Sequence, residues 1–201
     1  MFMQDFTGLL AQSTPAILPL DSLPACVTTG LVAGTLLETQ AGWRPVQMLR
    51  IGDAVQTLDG GLARILGLDR RILTADGLAT LIKIDGGHFD ACSDLLLLPG
   101  QHVLLDTLDD PQMDGSPFAM IAALALLATP GARRTPLGTS VEVITPMFAD
   151  EEVVYANSGV LLHCPGIIDG AQGFPDTSFF PRLDAVQARN FVHRRHARIA
   201  A

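Results

Sequence analysis

GLVAGTLLETQAGWRPVQMLRIGDAVQTLDGG, residues 30–61, decides the fold class of this 201-residue chain. TLLET (35–39) and AVQTL (54–58) are short runs of leucine and β-branched residues, the composition of strands. Gly42 supplies a turn after the first run, Pro45-Val46 enters an extended segment, and Gly52-Asp53 marks a bend before the second. Asp59-Gly60-Gly61 then closes a hairpin, where a positive φ suits glycine.

The same punctuation continues downstream. ARILGL (63–68), ATLIKI (79–84) and HVLLD (102–106) read as strands, separated by Asp76-Gly77 and Gly86-Gly87. SVEVITPMF (140–148) and EEVVYAN (151–157) have strand character again. Strand and helix do not alternate often enough for a doubly wound sheet. The expected fold is mostly β, a compact antiparallel domain with one or two short helices. PFAMIAALALLAT (117–129), with Pro117 in a first-turn position, is the internal helix candidate. LDAVQARNFVHRRHARI (183–199) fits a C-terminal amphipathic helix with Val186, Phe191 and Val192 inward. Pro15, Pro19 and Pro24 break up residues 1–29 into a loosely held arm, and Pro165 to Pro181 reads as loop.

A chain of this length that is 48% hydrophobic can bury one sizeable core. Its net charge of -8 argues against a nucleic-acid groove, which needs clustered Lys and Arg. The basic cluster, Arg189, Arg194, Arg195 and Arg198 with His193 and His196, reads as a solvated helix face, with an anionic membrane or partner as the alternative. Cys26, Cys92 and Cys164 are odd in number and far apart, which suits a reducing compartment and offers no disulfide framework. The N-terminal residues carry no basic stretch ahead of their apolar ones, so no secretory signal is recognised. The most apolar run, 118–127, is far short of the roughly 20 residues of a membrane-spanning helix. The expectation is a soluble, cytoplasmic protein with no nucleic-acid partner, no membrane span and no cofactor. A protein partner is left open.

Gly34-Thr35, Thr39, Gly42, Pro45-Val46, Leu49, Gly52-Asp53, Val55, Thr57 and Asp59-Gly60-Gly61 fall, without a gap, on one pattern. It resembles the opening block of Hint domains, the hedgehog/intein-type autoprocessing family, in its bacterial branch. LLLLPGQHVLLD (95–106) resembles the family's S-P-x-H-x-V-L strand, and VEVITPMFADEEVVYANSGVLLHCPG (141–166) its closing segment. Between them, PFAMIAALALLATPGARR (117–134) stands where the family carries an alanine-leucine stretch. The resemblance divides the chain into an arm (1–29), a Hint-like domain (30–166), and a loop with C-terminal helix or tail (167–201).

The resemblance also implies a chemistry. Active Hint domains cleave the peptide bond before their first residue, where a Cys or Ser side chain attacks the preceding carbonyl. A histidine of the later strand assists the departing amide nitrogen. Gly30 stands at the nucleophile position and has no side chain. Gln101 stands at the histidine position and cannot titrate, while His102 follows it and would need a bulge at Gly100 to reach the same place. Thr145 and Glu151 occupy two further histidine positions. The expectation is a scaffold without autoproteolysis that acts as a binding or structural module. The alternative is residual self-cleavage by an N-to-S or N-to-O acyl shift from Cys26, Thr28 or Thr29, with His102 as the acid.

Two other constellations carry less. His88, Asp90 and Cys92 alternate along HFDAC (88–92) and would share a face if extended, a possible metal half-site without an evident fourth ligand. A polar loop after Gly86-Gly87 is the simpler reading. His163 and Cys164 are adjacent, and neighbours on a strand point to opposite faces.

Overall fold

The computed structural model describes residues 29–74, 80–108, 110–113, 115–167 and 178–199. Their strands in chain order begin with β1 (Leu31–Val32), β2 (Leu36–Thr39), β3 (Gly42–Pro45), β4 (Ala54–Thr57) and β5 (Gly61–Arg64). β6 (Gly67–Thr74), β7 (Thr80–Ile84), β8 (Leu95–Leu97), β9 (His102–Asp106) and β10 (Phe118–Ala122) follow. β11 (Ala132–Pro136), β12 (Ser140–Met147), β13 (Glu152–Ala156) and β14 (Val160–Cys164) complete them, and helix α1 (Ala185–Ile199) closes the chain. Two antiparallel sheets result. One runs β11-β7-β8-β1-β12-β6, the other β10-β9-β14-β13-β2-β4-β5 with β3 added on β2.

The local chemistry of residues 30–61 sets these pairings. β4 and β5 pair from Ala54↔Arg64 to Thr57↔Gly61, and Gly61 takes φ 68, which a side chain would oppose. The Thr57 hydroxyl accepts the Gly60 N–H at 3.2 Å and so closes the hairpin. Asp53 braces the preceding bend, accepting from the Arg50 N–H at 2.9 Å and from Arg44 at 3.3 Å. Val46 differs from expectation. It opens a short 3-10 turn (Val46–Met48) that buries its side chain.

Alternation along the strands builds the core. Leu37, Val55, Ile82, Ile84, Val103, Ile144, Val154 and Leu162 are each fully buried and belong to one cluster. The anticipated helix over 117–129 is replaced by β10 and a 3-10 turn (Ala123–Ala128). Five register pairs join β10 to β9, from Phe118↔Asp106 to Ala122↔His102, and they satisfy backbone groups that a helix would have satisfied internally. Tertiary pairing overrides the local Ala/Leu preference.

The C-terminal helix is present and begins with a reciprocal cap. Asp184 Oδ1 accepts the Val186 and Gln187 N–H groups at 2.8 Å, and Gln187 Oε1 accepts the Asp184 N–H at 3.1 Å. Ala188, Phe191 and Val192 enter the main core cluster. Val186, expected inward, is instead 59% exposed, because the buried stripe runs through Ala188, Phe191 and Val192, and two residues place Val186 about 200° around the helix from Ala188. Two of the helix arginines are committed to ion pairs. Arg194 Nε and Nη2 donate to the buried Asp110 Oδ2 at 3.0 and 2.8 Å, and Arg195 approaches Asp90 at 3.6 Å. No helix among the described residues is long and apolar enough to cross a membrane.

Asn157 ties three segments together. Its Oδ1 accepts the Leu36 N–H at 2.9 Å, and its Nδ2 donates to Ser93 Oγ at 3.0 Å and to the Asp94 carbonyl at 3.3 Å. With Ser158 and Gly159 it forms the three-residue connection between β13 and β14, in which Asn157 and Ser158 take φ 44 and 69, a conformation asparagine tolerates better than most residues. Asn157→Ala should therefore cost about 2 kcal/mol, because a part-buried N–H and two acceptors lose their partner. The check is a lower denaturant midpoint at unchanged m-value. An unshifted midpoint would mean that solvent replaces these bonds.

Candidate functional site

Strands from both sheets converge on Gly30, the residue that leads into β1. β1 is held in its sheet by β12 (Leu31↔Ile144) and β8 (Leu31↔Leu97). The Gly30 N–H donates to Gln101 Oε1 at 2.9 Å. Gln101 is 1% exposed, and its Nε2 donates to the His163 carbonyl at 2.8 Å and the His102 carbonyl at 3.1 Å. Its amide is thus fixed in orientation by all three bonds. On the other side of the same peptide bond, the Thr29 carbonyl accepts from Arg71 Nη2 at 3.2 Å.

No side chain fits at residue 30 as the backbone stands. Gly30 has φ 132, and a Cβ placed there would lie 2.6 Å from Val143 Cγ1 and 2.8 Å from Thr145 Oγ1. Both neighbours are short, β-branched side chains with little freedom to withdraw.

Beside Gly30 opens a cavity of about 220 Å3. Gln101 and His102 line it together, although the sequence reading set them on opposite faces. The reason is local. The Gln101 N–H bonds the Leu98 carbonyl at 3.0 Å, so Gln101 lies in a turn just before β9, where strand alternation does not yet hold. Gln101 takes the bond to Gly30, and the His102 ring lies edge-on to His163 at a centroid distance of 6.1 Å. Thr145 lines the same cavity.

Glu151 and His163 form a pair that sequence reasoning treated separately. His163 Nε2 lies 3.1 Å from Glu151 Oε2, the Phe179 N–H donates to Glu151 Oε1 at 2.6 Å, and Arg182 Nη2 approaches Oε2 at 3.7 Å. The β13–β14 hairpin creates the pair by folding β14 back along β13, with Val153↔His163 in register. Hairpin closure at Asn157 was the available signal, since it sets residues 151 and 163 on either side of one turn. Burial alone pushes the Glu151 carboxyl up. The hydrogen bonds from His163 and the Phe179 N–H outweigh it and hold the group down at about 2, against an ordinary 4.5.

This fixes the sign of a pH effect. A carboxyl lowered on folding contributes stability that is fully present above its unfolded value and lost as pH falls through its folded value. The stabilisation from Glu151 should thus persist above about pH 5 and fade between 4.5 and about 2. Glu151→Gln should flatten that acid limb in thermal melts taken across the range. Coincident limbs would show that the pair contributes nothing.

A family model for the Hint domain matches residues 29–161. The chain belongs to the Hint domain family. Similar solved structures include a bacterial intein-like domain from Clostridium thermocellum, at 15% identity and a TM-score of 0.45, covering 68% of this chain and 99% of that one. The MchDnaB-1 intein is 14% identical with a TM-score of 0.41, covering 65% and 98%. A splice-inactive variant of the AceL NrdHF class 3 split intein is 13% identical with a TM-score of 0.41, covering 69% and 99%. Among curated proteins, none matches.

Elsewhere in this Hint domain, His88, Asp90 and Cys92 do not share an extended face. Residues 88–92 form a turn, with Phe89 and Asp90 at φ 52 and 64. The His88 ring packs against Gly131, Asp90 faces Arg195, and Cys92 is exposed with Sγ 3.9 Å from the Ser158 carbonyl. No group of three potential ligands that could hold a metal ion occurs among the described residues. His163 and Cys164 do diverge. Cys164 is buried in the core, which pushes its thiol up to about 12, too high for thiolate chemistry near neutral pH. Cys26 and Thr28, the alternative nucleophiles upstream, lie outside the described residues.

Proposed function

We propose that this Hint domain does not cleave itself and that the cavity beside Gly30 serves as a binding site. The observation that carries the reading is the closed space at residue 30. Glycine offers no attacking atom, and Val143 and Thr145 fill the volume that a nucleophilic side chain would need. Gln101 supports the same reading. It holds the Gly30 N–H as an acceptor, and an amide cannot deliver a proton to a departing amine. The Hint-like unit is taken as residues 30–166.

Intact-mass measurement of the freshly purified full chain tests this. One undegraded species is expected, unchanged by incubation with thiol or hydroxylamine, which would capture a thioester or ester. A fragment that ends between Cys26 and Gly30 and grows with time would overturn the reading. Loss of that fragment in Cys26→Ala would assign the reaction to the upstream thiol.

A further inference from the structure

We propose that the cavity beside Gly30 recognises a small carboxylate, an inference that rests on reading it as a binding site. Its volume of about 220 Å3 lies below the roughly 300 Å3 at which pockets for drug-sized ligands begin. It suits an occupant the size of an acylated amino acid. In a chain of net charge -8, no Asp or Glu lines it.

The hydrogen-bonding inventory of the walls selects the ligand class. The side-chain amide and carboxylate oxygens nearby are already engaged. Gln101 Oε1 takes the Gly30 N–H, and Glu151 is bonded by His163 and the Phe179 N–H. What faces the cavity is donor capacity. Thr145 Oγ1 is buried and has no hydrogen-bond partner among the described residues, although its residue is only 7% exposed. A hydroxyl in that position is under pressure to find one. Arg182, whose Nη2 approaches Glu151 Oε2 at 3.7 Å, brings to the wall a guanidinium with five N–H donors, a group that only donates and that pairs well with planar carboxylates. A carboxylate answers both, with one oxygen on the Thr145 hydroxyl and the other toward Arg182. Leu31 and Pro146 give its short acyl portion an apolar wall.

The test is titration of the full chain with N-acetylglycine, followed by backbone amide chemical shifts and calorimetry. Saturable shifts at Leu31, His102 and Thr145 are expected. The uncharged isostere N-acetylglycinamide should bind about tenfold more weakly, because it loses the charge-assisted bonds. Thr145→Val and Arg182→Gln should each weaken N-acetylglycine by a similar factor while leaving amide dispersion intact. Equal affinity for the amide, unchanged affinity in Thr145→Val, or the same shifts with inorganic phosphate would overturn the proposal. Propionate as a further probe distinguishes the source. Comparable binding points to a free acid, and much weaker binding to the C-terminal carboxylate of a polypeptide. Intact mass on the same samples separates the two ideas. Binding by a chain that also cleaves itself would overturn only the non-cleaving reading, whereas no binding by an intact chain would overturn only this one.

Discussion

Phe191→Ala should destabilise the protein by about 3–5 kcal/mol, the cost of removing a buried aromatic ring and leaving a cavity. For a chain of this length that corresponds to a fall in Tm of roughly 6–20 °C. Phe191 is fully buried and belongs to the main core cluster, with Ala188 and Val192 of the same helix. The ring therefore joins α1 to the sheets. Val186→Ala, five residues earlier on the exposed side, should change stability by no more than about 0.5 kcal/mol. The pair of variants separates packing from helix propensity, since both replace a larger residue by alanine. If Phe191→Ala cost under about 1 kcal/mol, the helix would be an appendage whose loss the core tolerates.

Gly30→Cys should not install self-cleavage, and it should cost about 2–4 kcal/mol. One part of the cost is a non-glycine residue held at φ 132, worth about 1–3 kcal/mol. The other is overpacking against Val143 Cγ1 and Thr145 Oγ1, worth about 1–3 kcal/mol. The two are not fully additive, because a backbone shift that relieves one also relieves the other. Chemical denaturation measures the loss, and mass spectrometry with added thiol looks for cleavage after Thr29. Thiol-dependent release of the N-terminal segment from Gly30→Cys would show that the site readily opens to accept a nucleophile. The non-cleaving reading would then rest on one missing atom and not on the shape of the pocket.

Much of the architecture was legible in residues 30–61. Turn glycines and short β-branched runs encode hairpins locally, because φ and side-chain alternation are properties of single residues and their neighbours. The same locality made the C-terminal helix readable, since Asp184 and Gln187 cap it within one turn. Where the sequence misled, a long-range partner had overruled the local preference. The Ala/Leu run at 118–128 has a helical composition, yet β9 offers its edge to Phe118–Ala122 and converts it to strand. Val186 looked inward on a helical projection, but the core takes the face of Ala188, Phe191 and Val192, and Val186 lies on the other side.

The site divides in the same way. Gly30 and Gln101 could be singled out from their positions in a pattern, because an absent side chain and an amide are facts of composition. That they meet, through a 2.9 Å bond between residues 71 positions apart, is a consequence of β1 and β9 being brought together by different sheets. The Glu151–His163 pair and the unpartnered Thr145 hydroxyl likewise exist only once β12, β13 and β14 are in register. The sequence by itself determined the β-class, the order of the turns and the absence of a nucleophile at residue 30. The tertiary structure alone decided that a side chain there would collide with Val143 and Thr145, and which polar groups now surround the space. Steric exclusion and hydrogen-bond satisfaction are set by neighbours in space, and no local stretch of chain carries that information.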